Sequence, residues 1–145
     1  MTDNREIKLL IVDDEEQMRR VLRYIIENSE FSYLDIKEAA SVEKALNIVN
    51  QEKSDIVICD YLLDHMSGIE FFSRYSDISP FSVRILISGN VNYDELRSAI
   101  ERGDIFKFIS KPFNEEEIIG VLKEAIDKVK ENRKRQDLIN RLKDF

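Results

Sequence analysis

Cysteine and histidine each occur once in this chain, as Cys59 and His65. A single thiol excludes an internal disulfide framework and fits a reducing compartment. A single imidazole rules out a multi-histidine metal site and leaves no obvious partners for a histidine-based catalytic triad. No run of about 18 apolar residues is present to cross a bilayer, and the N-terminal MTDNREIK lacks the apolar stretch of a secretory signal. These absences predict a cytoplasmic protein. Low-complexity tracts, internal repeats and interdomain linkers are missing as well. With 145 residues, 43% of them hydrophobic and 35% charged, the chain suits one globular domain with a sizeable core.

The net charge is −7 and unevenly spread. Residues 130–145 carry six Lys/Arg against three Asp/Glu, a balance of +3 that leaves −10 on residues 1–129. An acidic body argues against direct nucleic-acid binding by the domain itself.

What is present is a regular alternation. Lys8 to Val12 (KLLIV) reads as a buried strand, followed by the acids Asp13, Asp14, Glu15 and Glu16. A helix follows with Met18, Val21, Leu22, Ile25 and Ile26 on one face. Leu34 to Glu38 is a shorter, mixed strand near an edge. Ser41 is the expected N-cap of a second helix that buries Ala45, Leu46 and Val49. Ile56 to Cys59 is apolar and β-branched, as in a strand covered on both faces, and it ends on Asp60. Ile69 to Ile78 forms a third helix closed by Ser79–Pro80. Val83 to Ile87 is a fourth strand running into Ser88 and Gly89. Tyr93 to Arg102 is a fourth helix stopped by Gly103. Ile105 to Ile109 is a fifth strand running into Ser110, Lys111 and Pro112. A last helix starts at Asn114 and packs Ile118, Leu122, Ala125 and Val129 on the sheet. Five strands alternating with five helices predict a doubly wound parallel sheet.

Parallel strands place their carboxyl ends on one edge, where such sheets bind ligands. That edge collects Asp13, Asp14, Asp60, Ser88 and Lys111. Each taken alone has a plain structural explanation; Asp60, for example, could simply cap a turn. Together they suggest chemistry. Converging carboxylates repel and raise one another's pKa unless a cation joins them, and a hard divalent ion such as Mg²⁺ suits oxygen ligands. A carboxylate beside Mg²⁺ and a lysine can attack phosphorus to give an acyl phosphate.

At these residues the sequence resembles the receiver domain of two-component response regulators. The matching elements are LLIVDDEE, Asp60, Gly68 eight residues on, Ser88–Gly89, and FISKPF with Lys111–Pro112. The resemblance covers residues 5–129 and implies the flavodoxin-like strand order 2-1-3-4-5. It implies Asp60 as phosphoacceptor, with Mg²⁺ held by Asp14, Asp60 and the Leu62 carbonyl, and by Asp13 through water. It also implies Lys111 on the phosphoryl group, a cis Lys111–Pro112 bond, and a switch of Ser88 and Phe108. A sensor histidine kinase or phosphotransfer protein would be the phosphodonor. Leu63 and Asp64 depart from the Met-Pro that many receivers carry. The segment before Lys111 is one residue longer than usual, as in receivers ahead of HD-GYP phosphodiesterase or histidine-kinase outputs. No output domain follows in this sequence.

Competing assignments fit less well. A degenerate receiver would lack key positions, all of which are filled here. A haloacid-dehalogenase-like phosphatase places its acidic pair last, not first. A flavin site on this fold would need a Gly- or hydroxyl-rich phosphate loop where Asp13 to Glu16 stand. Past Val129 the pattern turns polar through ENRKRQD, then apolar at Leu138, Ile139, Leu142 and Phe145. Residues 130–145 are expected to leave the body as a helical extension that pairs in a homodimer or leads into an output domain. A frayed tail is the plainer alternative.

Overall fold

A computed structural model of the chain describes residues 5–144. The elements run β1 (Lys8–Val12), α1 (Glu16–Glu27), β2 (Asp35–Ala39), α2 (Val42–Gln51), β3 (Ile56–Asp60), α3 (Gly68–Ile78), β4 (Val83–Ser88), α4 (Tyr93–Glu101), β5 (Lys107–Ser110) and α5 (Glu115–Lys143). All strand pairs are parallel, in the order β2-β1-β3-β4-β5. This is the doubly wound flavodoxin-like sheet that the alternation predicts.

Strand side chains alternate between faces, so each strand feeds two cores. Leu9, Ile11, Ile56, Ile58, Ile85 and Ile87 join α1 and α5 on one face. Leu10, Val12, Val57, Cys59 and Leu86 join α2, α3 and α4 on the other. Cys59 is a buried free thiol within that second core.

The caps follow the residues. Ser41 accepts the Lys44 N–H, Ser67 the Glu70 N–H and Asn114 the Glu117 N–H. Gly103, at φ 78°, ends α4: its N–H donates to Ile100 and the Asp104 N–H to Ala99, closing two of the helix's open carbonyls.

Some details differ from the pattern. β2 begins at Asp35 because the Leu34 N–H is spent on the Phe31 carbonyl in the preceding turn. Ile105 is buried, yet β5 pairs only from Lys107. On α1, Leu22, Ile25 and Ile26 are buried whereas Val21 is 46% exposed. One residue is about 100° of helix, which carries Val21 past the edge of the buried face.

α5 is continuous over 29 residues, about 43 Å at 1.5 Å per residue. Its docking runs past Val129. The Asn132 amide donates to the Phe81 carbonyl at 3.0 Å, and Asn132 is 7% exposed. The Arg133 guanidinium donates to the carbonyls of Arg5 and Glu6 and lies 3.3 Å from the Asp55 carboxylate. Arg5 in turn reaches Asp137 at 3.5 Å. Leu138, Ile139 and Leu142 beyond are exposed; Phe145 lies outside the described residues.

Candidate functional site

β1 and β3 end side by side, Val12 opposite Cys59, so their following acids meet at the carboxyl edge. Carboxylate oxygens of Asp13, Asp14 and Asp60 lie within 4.8 Å of one another. Asp13 is buried and Asp14 exposed. The Asp13 N–H donates to the Ala39 carbonyl at the end of β2, and its Oδ1 accepts the Glu15 N–H at 2.9 Å.

Burial pushes the Asp13 carboxyl up to about 6, with the nearby Asp60 and Asp14 charges adding to the rise. Burial also raises Asp60. Lys111 and the backbone N–H groups of Leu62 and Tyr61 pull it back towards ionisation. The Lys111 ammonium lies 3.5 Å from Asp60 Oδ2 and 3.9 Å from Asp13 Oδ2. It comes from the turn after β5, where the Lys111–Pro112 peptide is cis and the Lys111 N–H donates to the Ser88 carbonyl.

Ser88 is buried at the end of β4, and its Oγ accepts the Asn90 N–H at 3.0 Å. Its hydroxyl proton is free to donate elsewhere. Phe108 is half-buried and packs against the core cluster that includes Leu86, Leu96 and Ala99. The Leu62 side chain points to solvent at 60% exposure.

Gly68 opens α3 directly beneath the site. A Cβ there would press on the Asp60 carbonyl oxygen and come within 2.9 Å of Leu86 Cδ1. The Gly68 N–H donates to the Tyr61 carbonyl at 2.8 Å. The glycine allows α3 to start against the backbone of Asp60 itself.

Three all-oxygen carboxylates, two of them buried with raised pKa, form a donor set that suits a hard divalent cation. A cation would offset the mutual repulsion that Lys111 meets only in part. Mg²⁺ is such an ion.

Residues 9–123 match the response regulator receiver domain. The chain belongs to that family. This receiver is 31% identical over 140 residues to a putative NtrX-like response regulator of Rickettsia bellii, covering 95% of this chain and 28% of the relative. It is 29% identical over 118 residues to the hydrogenase transcriptional regulatory protein HoxA of Bradyrhizobium diazoefficiens, covering 81% and 24%. The crystal structure of NtrX from Brucella abortus superposes with a TM-score of 0.80 at 27% identity, over 92% of this chain and 30% of that one. The receiver thus spans about a quarter of the length of the curated relatives it matches. Like the family, it is a signalling domain of two-component systems and not a classical enzyme.

The sheet brings together Asp13, Asp14, Asp60 and Lys111, and sets Ser88 at the same edge. Two contacts have no signal in the sequence. The Tyr61 hydroxyl donates to the Glu95 carboxylate of α4 at 2.6 Å. The Arg19 guanidinium donates to the Asp13 carbonyl at 2.7 Å. Both join residues whose side chains are individually ordinary surface types. No helix among the described residues is long and apolar enough to cross a membrane.

Proposed function

We propose that this receiver is a phosphorylation-dependent switch in the cytoplasm, taking a phosphoryl group on Asp60 from a sensor histidine kinase or phosphotransfer protein. The observation that carries this reading is the Asp13–Asp14–Asp60 cluster with the Lys111 ammonium 3.5 Å from Asp60. Asp14, Asp60 and the Leu62 carbonyl would hold Mg²⁺, with Asp13 acting through water. The ion supplies charge neutralisation to the acids and to the incoming phosphoryl oxygens.

The ionised Asp60 carboxylate attacks phosphorus; a new O–P bond forms as the donor's bond to phosphorus breaks, and the leaving group departs with that electron pair. Lys111 and the two backbone N–H groups favour the ionised form of Asp60 against its burial. Lys111 then pairs with the transferred group, and the Ser88 hydroxyl donates a hydrogen bond to one of its oxygens. Movement of Ser88, with Phe108 turning inward from β5, changes the α4–β5–α5 surface.

That surface would control an output domain or partner. The matched segment is only about a quarter of each relative's length, which supports an output beyond it. One similar structure, 24% identical with a TM-score of 0.80 over 88% of this chain and 99% of that one, is the receiver of an HD domain-containing protein of Pseudomonas fluorescens. An HD-GYP or kinase-type output is the specific expectation. We assign residues 5–129 to the switch and 130–145 to a helical extension that serves a homodimer or linker.

Intact-protein mass spectrometry after acetyl phosphate treatment tests the chemistry. A phosphoryl adduct forms in the presence of Mg²⁺ and is lost in Asp60→Asn. Equal labelling of the variant, or of wild type without Mg²⁺, refutes the assignment.

A further inference from the structure

Arg19 lies one turn into α1, beside an arginine that behaves as a surface residue. Arg20 pairs with Glu16 at 2.9 Å, both more than 60% exposed. The Arg19 side chain is only 15% exposed and turns back towards the β1–α1 loop. Its Nη1 donates to the Asp13 carbonyl at 2.7 Å, and its Nε to Glu38 Oε1 at 3.2 Å. The other Glu38 oxygen is held by Arg23 at 2.6 Å. Glu38 is therefore fixed from two sides and presents one oxygen to Arg19.

The Asp13 carbonyl belongs to the peptide that joins Asp13 to Asp14. That peptide is a rigid plane. Pinning its oxygen restricts ψ of Asp13 and φ of Asp14 together, and so the direction in which both carboxylates leave the backbone. The plane on the other side of Asp13 is pinned as well, because its N–H donates to Ala39. The last two residues of β2 thus hold the acidic pair, Ala39 directly and Glu38 through Arg19. A charge-assisted bond to a carbonyl is stronger than a neutral one and more directional than solvation.

We infer that Arg19, oriented by Glu38, is a positioning residue that aims Asp13 and Asp14 at the shared cation, an inference that rests on the metal reading above. Groups that orient metal ligands in this way typically change affinity by about 10- to 100-fold when removed.

Isothermal titration of the full chain with Mg²⁺ tests it, alongside thermal melts without the ion. Arg19→Met is expected to weaken Mg²⁺ binding by about 10-fold, at the lower end of that range because Ala39 still holds one plane. Arg19→Lys, which can still donate to the carbonyl but not to both partners, should fall between wild type and Arg19→Met. Glu38→Gln should give a smaller loss in the same direction. If Arg19→Met does not fold, the lysine and glutamine variants decide the matter on their own. Variants that melt earlier but bind Mg²⁺ as tightly as wild type would show a purely structural clamp and overturn the inference. Wild type that takes up no Mg²⁺ overturns the metal reading itself, which is a distinct outcome.

Discussion

Replacing Asp13 with Asn should stabilise the metal-free protein at neutral pH, although Asp13 belongs to the proposed functional site. Its carboxyl titrates at about 6 against an ordinary value of 3.8, chiefly because burial disfavours the charge, with Asp60 and Asp14 adding repulsion. A carboxyl raised on folding binds more protons in the native state than in the unfolded one between those two values. Stability therefore falls as pH rises through roughly 4 to 6, is lowest above 6, and is unaffected by this group below 4. Two pKa units correspond to a ceiling of about 3 kcal/mol. That ceiling already includes the Glu15 N–H bond and the attraction of Lys111; an asparagine keeps an oxygen for the Glu15 N–H but must find partners for its own N–H donors in a buried place. A net gain of about 1–2 kcal/mol remains, or about 3–6 °C in Tm for a chain of this size. Thermal unfolding followed by circular dichroism in metal-free buffer at pH 7.5 and pH 4 measures it. The difference between variant and wild type should be clear at pH 7.5 and vanish near pH 4. Saturating Mg²⁺ should close the gap by stabilising wild type more than the variant. An Asn variant no more stable than wild type at pH 7.5, or equally shifted at both pH values, would refute the account of a strained acidic cluster.

Gly68→Ala should cost about 1–3 kcal/mol, an overpacking penalty, because the new methyl presses on the Asp60 carbonyl and Leu86; chemical denaturation measures it, and acyl-phosphate formation should slow in the same variant. Gly120→Ala should do the opposite. Gly120 is an exposed helical position where a Cβ meets nothing within 4 Å, so the substitution should add about 0.5–1 kcal/mol of helix propensity, readable as a higher denaturation midpoint. Truncation after Asp137 keeps the Asn132, Arg133 and Asp137 anchors and should leave Asp60 labelling intact. Removing the exposed Leu138, Ile139 and Leu142 should weaken self-association in sedimentation experiments; identical monomeric sedimentation with and without the tail would exclude a dimer helix.

The fold was legible because its signals are local. Apolar β-branched runs, helical spacing and caps such as Ser41 and Gly103 each act within a few residues. Strand alternation alone then forces the polar residues at the strand ends onto one edge. That is why Asp13, Asp14, Asp60, Ser88 and Lys111 group together on the sequence alone. The boundaries of β2 and β5 shifted because ladder pairing with a neighbouring strand, and not the apolar run, sets where a strand starts.

What only the tertiary structure decided involves groups distant in sequence. Asp13 and Asp14 are adjacent and identical in type, yet one is buried and strained and the other exposed. The course of β1 against β2 makes that distinction. The polar stretch after Val129 has the composition of a solvated helix. Asn132 and Arg133 nevertheless dock, because the loop and strand starts around Phe81, Glu6 and Asp55 present carbonyl and carboxylate oxygens to them. Arg19 and Tyr61 likewise look like ordinary surface residues until the Asp13 carbonyl and Glu95 come within reach. Hydrophobic periodicity reports which face of an element is buried; it carries no information about which polar atom waits on the neighbouring element.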